Sequence, residues 1–114
     1  MAEKEKLCVI WSSADKDVAF SMVFMYTLNA KLHGWFKTVR LVVWGPSSKL
    51  LSEDSDLQDY IAKMKEAGVE LQACKACADM HGVCDDLSTL GIDVKYMGEP
   101  LTEILKGDWA TLTF

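Results

Sequence analysis

The chain has 114 residues, of which 50% are hydrophobic and 25% are charged, a composition typical of one globular domain and not of a disordered segment. Its formal charge is −5 at pH 7 and it has no basic stripe, so nucleic acid and anionic membrane surfaces are not expected as partners. No apolar stretch reaches the ~20 residues of a membrane-spanning helix and no signal peptide is recognisable; we therefore expect a cytoplasmic protein with a single domain over residues 1–114.

Strand-like and helix-like segments alternate from the start of the chain. Residues 7–11 form a short apolar run of the kind found in strands covered on both faces, and Ser12, Ser13 and Asp15 follow as turn or N-cap residues. A long helix is predicted over residues 15–32. Because its apolar side chains extend nearly all the way round, we expect it to be buried on more than one side and to contact another subunit.

The rest of the chain continues this alternation. A strand over residues 38–44 is followed by a turn, and a helix over 56–67 is stopped by Gly68. The further predicted elements are a strand over 69–73, a helix from Cys74, a helical turn over 85–90, a strand over 92–97, a short helix over 101–105 and a last strand over 109–114. Strands separated by helices indicate βαβ crossovers, and hence an α/β fold with a largely parallel sheet and helices on both faces.

Ligands of such sheets bind beyond the carboxyl ends of the strands, an edge that we call the carboxyl rim. The loops predicted at this rim supply candidate pocket residues, namely Ser12, Ser13, Gly45, Ser47, Met97 and Gly98. The three serines are also explained as helix caps, and we favour that structural role for them.

Cys74 is the strongest candidate for a reactive residue. It lies where the alternating pattern of residues 69–73 gives way to helical spacing, which Gly82 ends. Unpaired backbone N–H groups at the start of a helix favour a thiolate over a thiol, and the thiolate is the nucleophile. We therefore expect the Cys74 sulfur to be ionised and reachable at the carboxyl rim.

The residues after Cys74 leave other chemistries open. Cys77 completes a Cys-x-x-Cys pair that follows a strand and opens a helix, which is the placement of a redox dithiol. His81 and Cys84 extend the series, but on one straight helix the first and last residues would stand ~15 Å apart, too far for one zinc ion with ligands at ~2.0–2.3 Å. A break at Gly82 would relax that limit, but the spacing matches no reliable zinc pattern, and no metal site is expected.

Other motifs are missing. The sequence has no glycine-rich dinucleotide motif and no phosphate loop, so no cofactor is expected. Cys8 lies inside the first predicted strand, where a cysteine acts as a small buried hydrophobic residue.

Residues 69–74 (Val-Glu-Leu-Gln-Ala-Cys) followed by Gly82 resemble the DsrE/DsrF-like sulfur-relay family, whose members place a cysteine at a strand end before a short helix and a glycine. Residues 42–46, 63–68 and 94–100 also fit, so the resemblance covers nearly the whole chain. It implies a three-layer α/β/α sandwich around a five-stranded, mostly parallel sheet. It also implies a homo-oligomer, either a trimer or a hexamer.

The resemblance implies that Cys74 carries sulfur as a persulfide between donor and acceptor proteins or small sulfane-sulfur compounds, a role consistent with sulfurtransferase activity. Lys75, Cys77 and His81 are candidate supporting residues, with Cys77 as a resolving thiol; it stands where the relay proteins have a small residue. Two alternatives stay open: a Cys74/Cys77 dithiol redox protein, and a non-catalytic oligomeric binding module of the same fold.

Overall fold

The computed structural model describes residues 4–114. Five strands form one sheet in the spatial order β4-β3-β2-β1-β5, and every neighbouring pair is parallel. The strands are β1 (Lys6–Trp11), β2 (Thr38–Val43), β3 (Glu70–Cys74), β4 (Asp93–Lys95) and β5 (Trp109–Thr113). All five carboxyl ends therefore lie at one rim, as the sequence predicts.

Helices cover both faces of this sheet, which confirms the predicted α/β/α sandwich. They are α1 (Lys16–Val18), a π-helical segment (Ala19–Phe24) that continues into α2 (Met25–Leu32), α3 (Ser47–Glu53), α4 (Ser55–Ala67), α5 (Lys75–His81), α6 (Cys84–Thr89) and α7 (Gly98–Lys106). Within residues 4–114, none of them combines the length and apolar character needed to cross a lipid bilayer.

The two faces of the sheet differ in how they are covered. Because side chains alternate along a strand, Leu7, Val9 and Trp11 of β1 point into the larger core, to which α2, α4 and α6 contribute. Cys8 and Ile10 point to the opposite face, which we call the second face. Leu101 and Ile104 of α7 complete the buried cluster on this face. Helix α7 has only nine residues.

Polar and aromatic side chains extend the second face beyond α7. The Arg40 guanidinium lies 2.8 Å from a Glu70 carboxylate oxygen on the neighbouring strand. It also lies 4.6 Å from the centroid of the Trp109 ring, within range of a cation–π contact. The layer that covers the second face of the sheet is therefore thin.

Local signals account for most element boundaries. The Asp15 carboxylate accepts hydrogen bonds from the N–H groups of Asp17 and Val18 and so caps α1. The Asp54 carboxylate caps α4 in the same way through Leu57. The helix predicted over residues 15–32 is confirmed in extent, but its middle is π-helical, which the apolar spacing does not reveal.

Two regions differ from the sequence prediction. Helix α3 begins in residues that the sequence predicts as a turn. The sequence gives no sign of this helix because Pro46 precedes it without a capping side chain. The helix is stabilised instead by burial of Leu51 in the larger core. The fourth strand is shorter than predicted and α7 is longer, beginning at Gly98. The effect is to place Met97 at the N-cap of a helix on the second face.

Candidate active site

Cys74 lies at the junction of a strand and a helix, where the sequence places it. It is the last residue of β3 and the N-cap of α5. Its side chain belongs to the second face, and its register partner on β4 is Lys95. The sulfur makes no capping hydrogen bond with the first turn of α5. Cys77, the third residue of α5, packs against the same cluster.

The Cys74 side chain is less accessible than the sequence predicts. Only 7% of the residue is exposed, because it packs in the second-face cluster with Val42 and Met97. Met97 itself is 2% exposed. The expected open position at the rim is thus replaced by a position just beneath the surface, bordered by the more exposed Cys77.

Cys77 lies one helical turn beyond Cys74 and is half-buried. Burial raises the pKa of the Cys77 thiol, and a hydrogen bond with the Cys74 side chain raises this pKa further. The backbone N–H of Gly45 interacts with the Cys77 sulfur and opposes that rise. A hydrogen bond raises the pKa of a thiol when it stabilises the protonated form, so the contact with Cys74 favours the protonated form of Cys77. Both cysteines are free thiols.

The turn that carries Gly45 is fixed by Ser47. The buried Ser47 hydroxyl lies 2.6 Å from the Trp11 carbonyl and 3.0 Å from the Trp44 carbonyl. The backbone N–H of Ser47 donates to the Ser12 carbonyl over 3.1 Å. Gly45 has a φ of +71°, a left-handed conformation that favours glycine. These contacts hold the ends of β1 and β2 together and place the Gly45 N–H beside Cys77.

The serines after β1 contact the end of the chain. The Ser12 hydroxyl donates to the Phe114 carbonyl over 2.8 Å, while Ser13 Oγ accepts from the Asp15 N–H over 3.1 Å. The helix-cap interpretation is therefore wrong for all three serines. The Ser12 and Ser47 hydroxyls donate to carbonyl groups, and Ser13 accepts from the residue that precedes α1. Asp15 is the residue that caps α1.

Met97 and Gly98 take different positions. Met97 packs in the same cluster as Cys74. Gly98 is exposed and, together with Thr102 and Lys106, lines an open groove of about 590 Å³ along α7. Of the rim candidates, the structure thus brings Met97 and Gly45 to the cysteine pair, by packing and through the backbone respectively.

The charged candidates after Cys74 face other groups. The Lys75 ammonium lies 3.0 Å from an Asp79 carboxylate oxygen and 5.5 Å from the centroid of the Tyr96 ring. The hydrogen bond to Asp79 raises the pKa of Lys75. His81 ends α5 and is exposed. A supporting role for these two residues stays a prediction.

The other two cysteines differ from the pair. The Cys84 sulfur lies 2.8 Å from the Asp79 carboxylate, a hydrogen bond that raises the pKa of Cys84. Cys8 is fully buried, and burial raises the pKa of this thiol to about 11. In the described part of the chain, no three His, Cys, Asp or Glu side chains are grouped closely enough to hold a metal ion.

One polar neighbour of Cys74 is missed by the sequence interpretation. Gln72 lies two residues earlier on the same face of β3 and is only 9% exposed. Among the described residues, no group donates to its buried Oε1 atom. The alternation of residues 69–73 assigns Gln72 to the polar side of the strand. Cys74 lies two residues later and therefore on the same side. This spacing was the signal in the sequence that could have placed Gln72 next to the candidate cysteine.

The fold and the site together define an α/β protein with a parallel five-stranded sheet and a cysteine pair at its carboxyl rim. No family model matches the sequence, and no curated protein matches it. Among solved structures, the chain is similar to the conserved protein of unknown function BT1422 from Bacteroides thetaiotaomicron, with 40% sequence identity and a TM-score of 0.93, over 96% of this chain and 95% of that one. The chain belongs to the same family as BT1422.

A more distant similarity concerns the architecture. The ychN protein from E. coli has 18% sequence identity and a TM-score of 0.67, over 96% of this chain and 99% of that one. At this identity the likeness shows the fold alone.

Proposed function

We propose that the protein is a DsrE-like sulfur carrier of the cytoplasm, in which Cys74 accepts sulfane sulfur as a persulfide and passes it on. The observation that carries this proposal is the placement of Cys74, with Cys77 one helical turn beyond it, at the carboxyl ends of parallel strands, the edge where such sheets bind ligands. The resemblance of residues 69–74 and Gly82 to the sulfur-relay family supports it. The fold shared with ychN agrees with the implied architecture.

The chemistry requires a thiolate that both attacks and leaves. The Cys74 thiolate attacks the outer sulfur of a donor persulfide; a new S–S bond forms at Cys74, the donor S–S bond breaks, and the donor departs as a thiolate. An acceptor thiolate then attacks the outer sulfur and releases Cys74 as a thiolate.

The burial of Cys74 favours a small donor. With 7% of the residue exposed, a cysteine on a folded donor protein cannot reach the sulfur without movement of the surrounding side chains. A low-molecular-weight persulfide or polysulfide is smaller than a folded donor and requires less movement of those side chains. We therefore place small sulfane-sulfur compounds ahead of donor proteins as the source of sulfur.

We also propose a homo-oligomer, with the trimer or hexamer that the family resemblance implies, and the apolar surface on the opposite side supports assembly. Met22, Met25 and Trp35 are about half exposed and surround a groove of about 430 Å³ that also contacts β5, which is an edge strand of the sheet. The groove is lined by apolar and uncharged polar side chains. Exposed apolar surfaces of this kind mark interaction sites.

A second candidate function, a dithiol redox protein, is favoured by the same placement of Cys77 one helical turn beyond Cys74. The two functions differ in their covalent product. Reduced protein treated with glutathione persulfide should gain about 32 Da, the mass of one sulfur atom, in intact mass spectra. The gain, measured directly after brief loading, should also be seen in Cys84→Ser and be absent in Cys74→Ser. If no variant that retains Cys74 gains this mass, the carrier proposal is wrong.

A further inference from the structure

The positions of Cys74 and Cys77 bring their side chains to the same part of the second face. Cys74 is the N-cap of α5 and Cys77 is its third residue, and an N-cap side chain lies beside the third helical residue. Cys74 is buried in the second-face cluster and Cys77 packs against that cluster, so both thiols lie in one apolar environment.

Cys84 does not have this relationship with Cys74. Its thiol is hydrogen-bonded to the Asp79 carboxylate, and its side chain packs against the larger core rather than the second-face cluster. Cys8 lies on the second face, but it is a strand residue with no exposed surface. Cys77 is therefore the thiol placed to react at Cys74.

We propose that, where no acceptor thiol takes the outer sulfur, Cys77 resolves the Cys74 persulfide within the same chain, so that the protein releases hydrosulfide and closes a Cys74–Cys77 disulfide. This inference rests on the proposed persulfide at Cys74. It assigns small sulfane-sulfur compounds as substrates and hydrosulfide as the product.

The step is balanced without an external oxidant. Cys77 loses its proton and its sulfur attacks Cys74 Sγ; the bond between the two cysteine sulfurs forms as the bond from Cys74 Sγ to the outer sulfur breaks. The outer sulfur leaves with the electron pair and takes up a proton as hydrosulfide. The sulfane sulfur is reduced and the two cysteines are oxidised. An external dithiol then reduces the disulfide and returns both thiols.

The surroundings of Cys77 support this role. The Gly45 N–H, held in place by the Ser47 contacts to the ends of β1 and β2, interacts with the Cys77 sulfur and stabilises it as it becomes charged. The low exposure of Cys74 hinders attack on its Sγ atom by thiols from solution. Cys77 does not have to approach from solution, and an intramolecular nucleophile acts at a high effective concentration.

The test compares wild type, Cys77→Ser and the matched control Cys84→Ser. Each reduced protein is loaded briefly with glutathione persulfide, a donor that leaves as glutathione and not as sulfide, and is then desalted without oxygen. Released sulfide and intact mass are followed over time. Wild type and Cys84→Ser should release about one sulfide per chain and end about 2 Da below the reduced mass, as a disulfide requires.

Cys77→Ser should keep the added sulfur and release sulfide at least tenfold more slowly, and Cys77→Ala should match it if the serine variant folds poorly. Wild type that retains the added sulfur as long as Cys77→Ser would overturn the inference while leaving the carrier proposal intact. Equal rates of sulfide release from wild type and Cys77→Ser would also overturn the inference and leave the carrier proposal intact. No added sulfur in any variant, Cys77→Ser included, would overturn both.

Discussion

Cys77 lies one helical turn after Cys74, the last residue of β3, and packs against the cluster that buries the Cys74 side chain. The two thiols differ in exposure, because Cys74 is buried and Cys77 is half-buried. Their surroundings have a direct consequence for the reactivity of Cys77 towards alkylating agents.

Alkylation of Cys77 should depend on pH. Burial, and then the hydrogen bond to Cys74, raises the pKa of Cys77, so its thiolate should form only above the pH at which an ordinary cysteine ionises. The Cys74→Ala substitution removes the hydrogen bond but not the burial, and should move the midpoint part of the way down. Peptide mapping after iodoacetamide treatment across a pH series measures this. A midpoint unchanged by Cys74→Ala would show that the hydrogen bond does not hold the proton.

Gln72 should be a site of stabilising substitution. Its Oε1 atom is buried without a donor among the described residues, and an unsatisfied buried polar group costs about 1–3 kcal/mol. Gln72→Met has a similar shape and should raise the free energy of unfolding by about 1 kcal/mol, measured by urea denaturation. Gln72→Glu, which places a charge there, should lower it. A destabilised Gln72→Met protein would mean that the amide has a partner that stabilises it.

Gly45 and Gly98 form a matched pair for testing backbone strain. A Cβ atom at either position meets no heavy atom within 4 Å, but only Gly45 has a positive φ. Gly45→Ala should therefore lower the free energy of unfolding by about 1–2 kcal/mol. Gly98→Ala, at the start of α7, should leave it unchanged or raise it by up to about 1 kcal/mol. Equal effects in urea denaturation would argue against strain at Gly45.

The sheet and the position of Cys74 were predictable because they depend on local signals. Continuous apolar runs mark the buried strands, and the change from alternating to helical spacing marks the junction at Cys74. Helix α3 was missed for the opposite reason. Gly45 and Pro46 are turn formers, and the helix after them is stabilised by burial of Leu51, which is a tertiary effect.

The limited exposure of Cys74 also depends on distant residues. Met97 and Leu101 come more than twenty positions later in the chain and reach the cysteine only through the placement of α7 on the second face. The sequence indicates which loops share the carboxyl rim, but not how closely a later side chain packs over an earlier one. The burial of Gln72 on the same face escaped prediction for this reason.

The apolar groove beside α2 should be a contact between copies of the chain. Met25 is 51% exposed and lines this groove, whereas Met80 is 83% exposed on α5. Met25→Lys places a charge in the proposed interface, where an unpaired charge is costly to bury, and should convert the oligomer to smaller species in size-exclusion chromatography with light scattering. Met80→Lys makes the same chemical change outside the groove and should leave the assembly unchanged. A wild-type mass equal to one chain, or loss of assembly in both variants, would contradict the assignment of this groove.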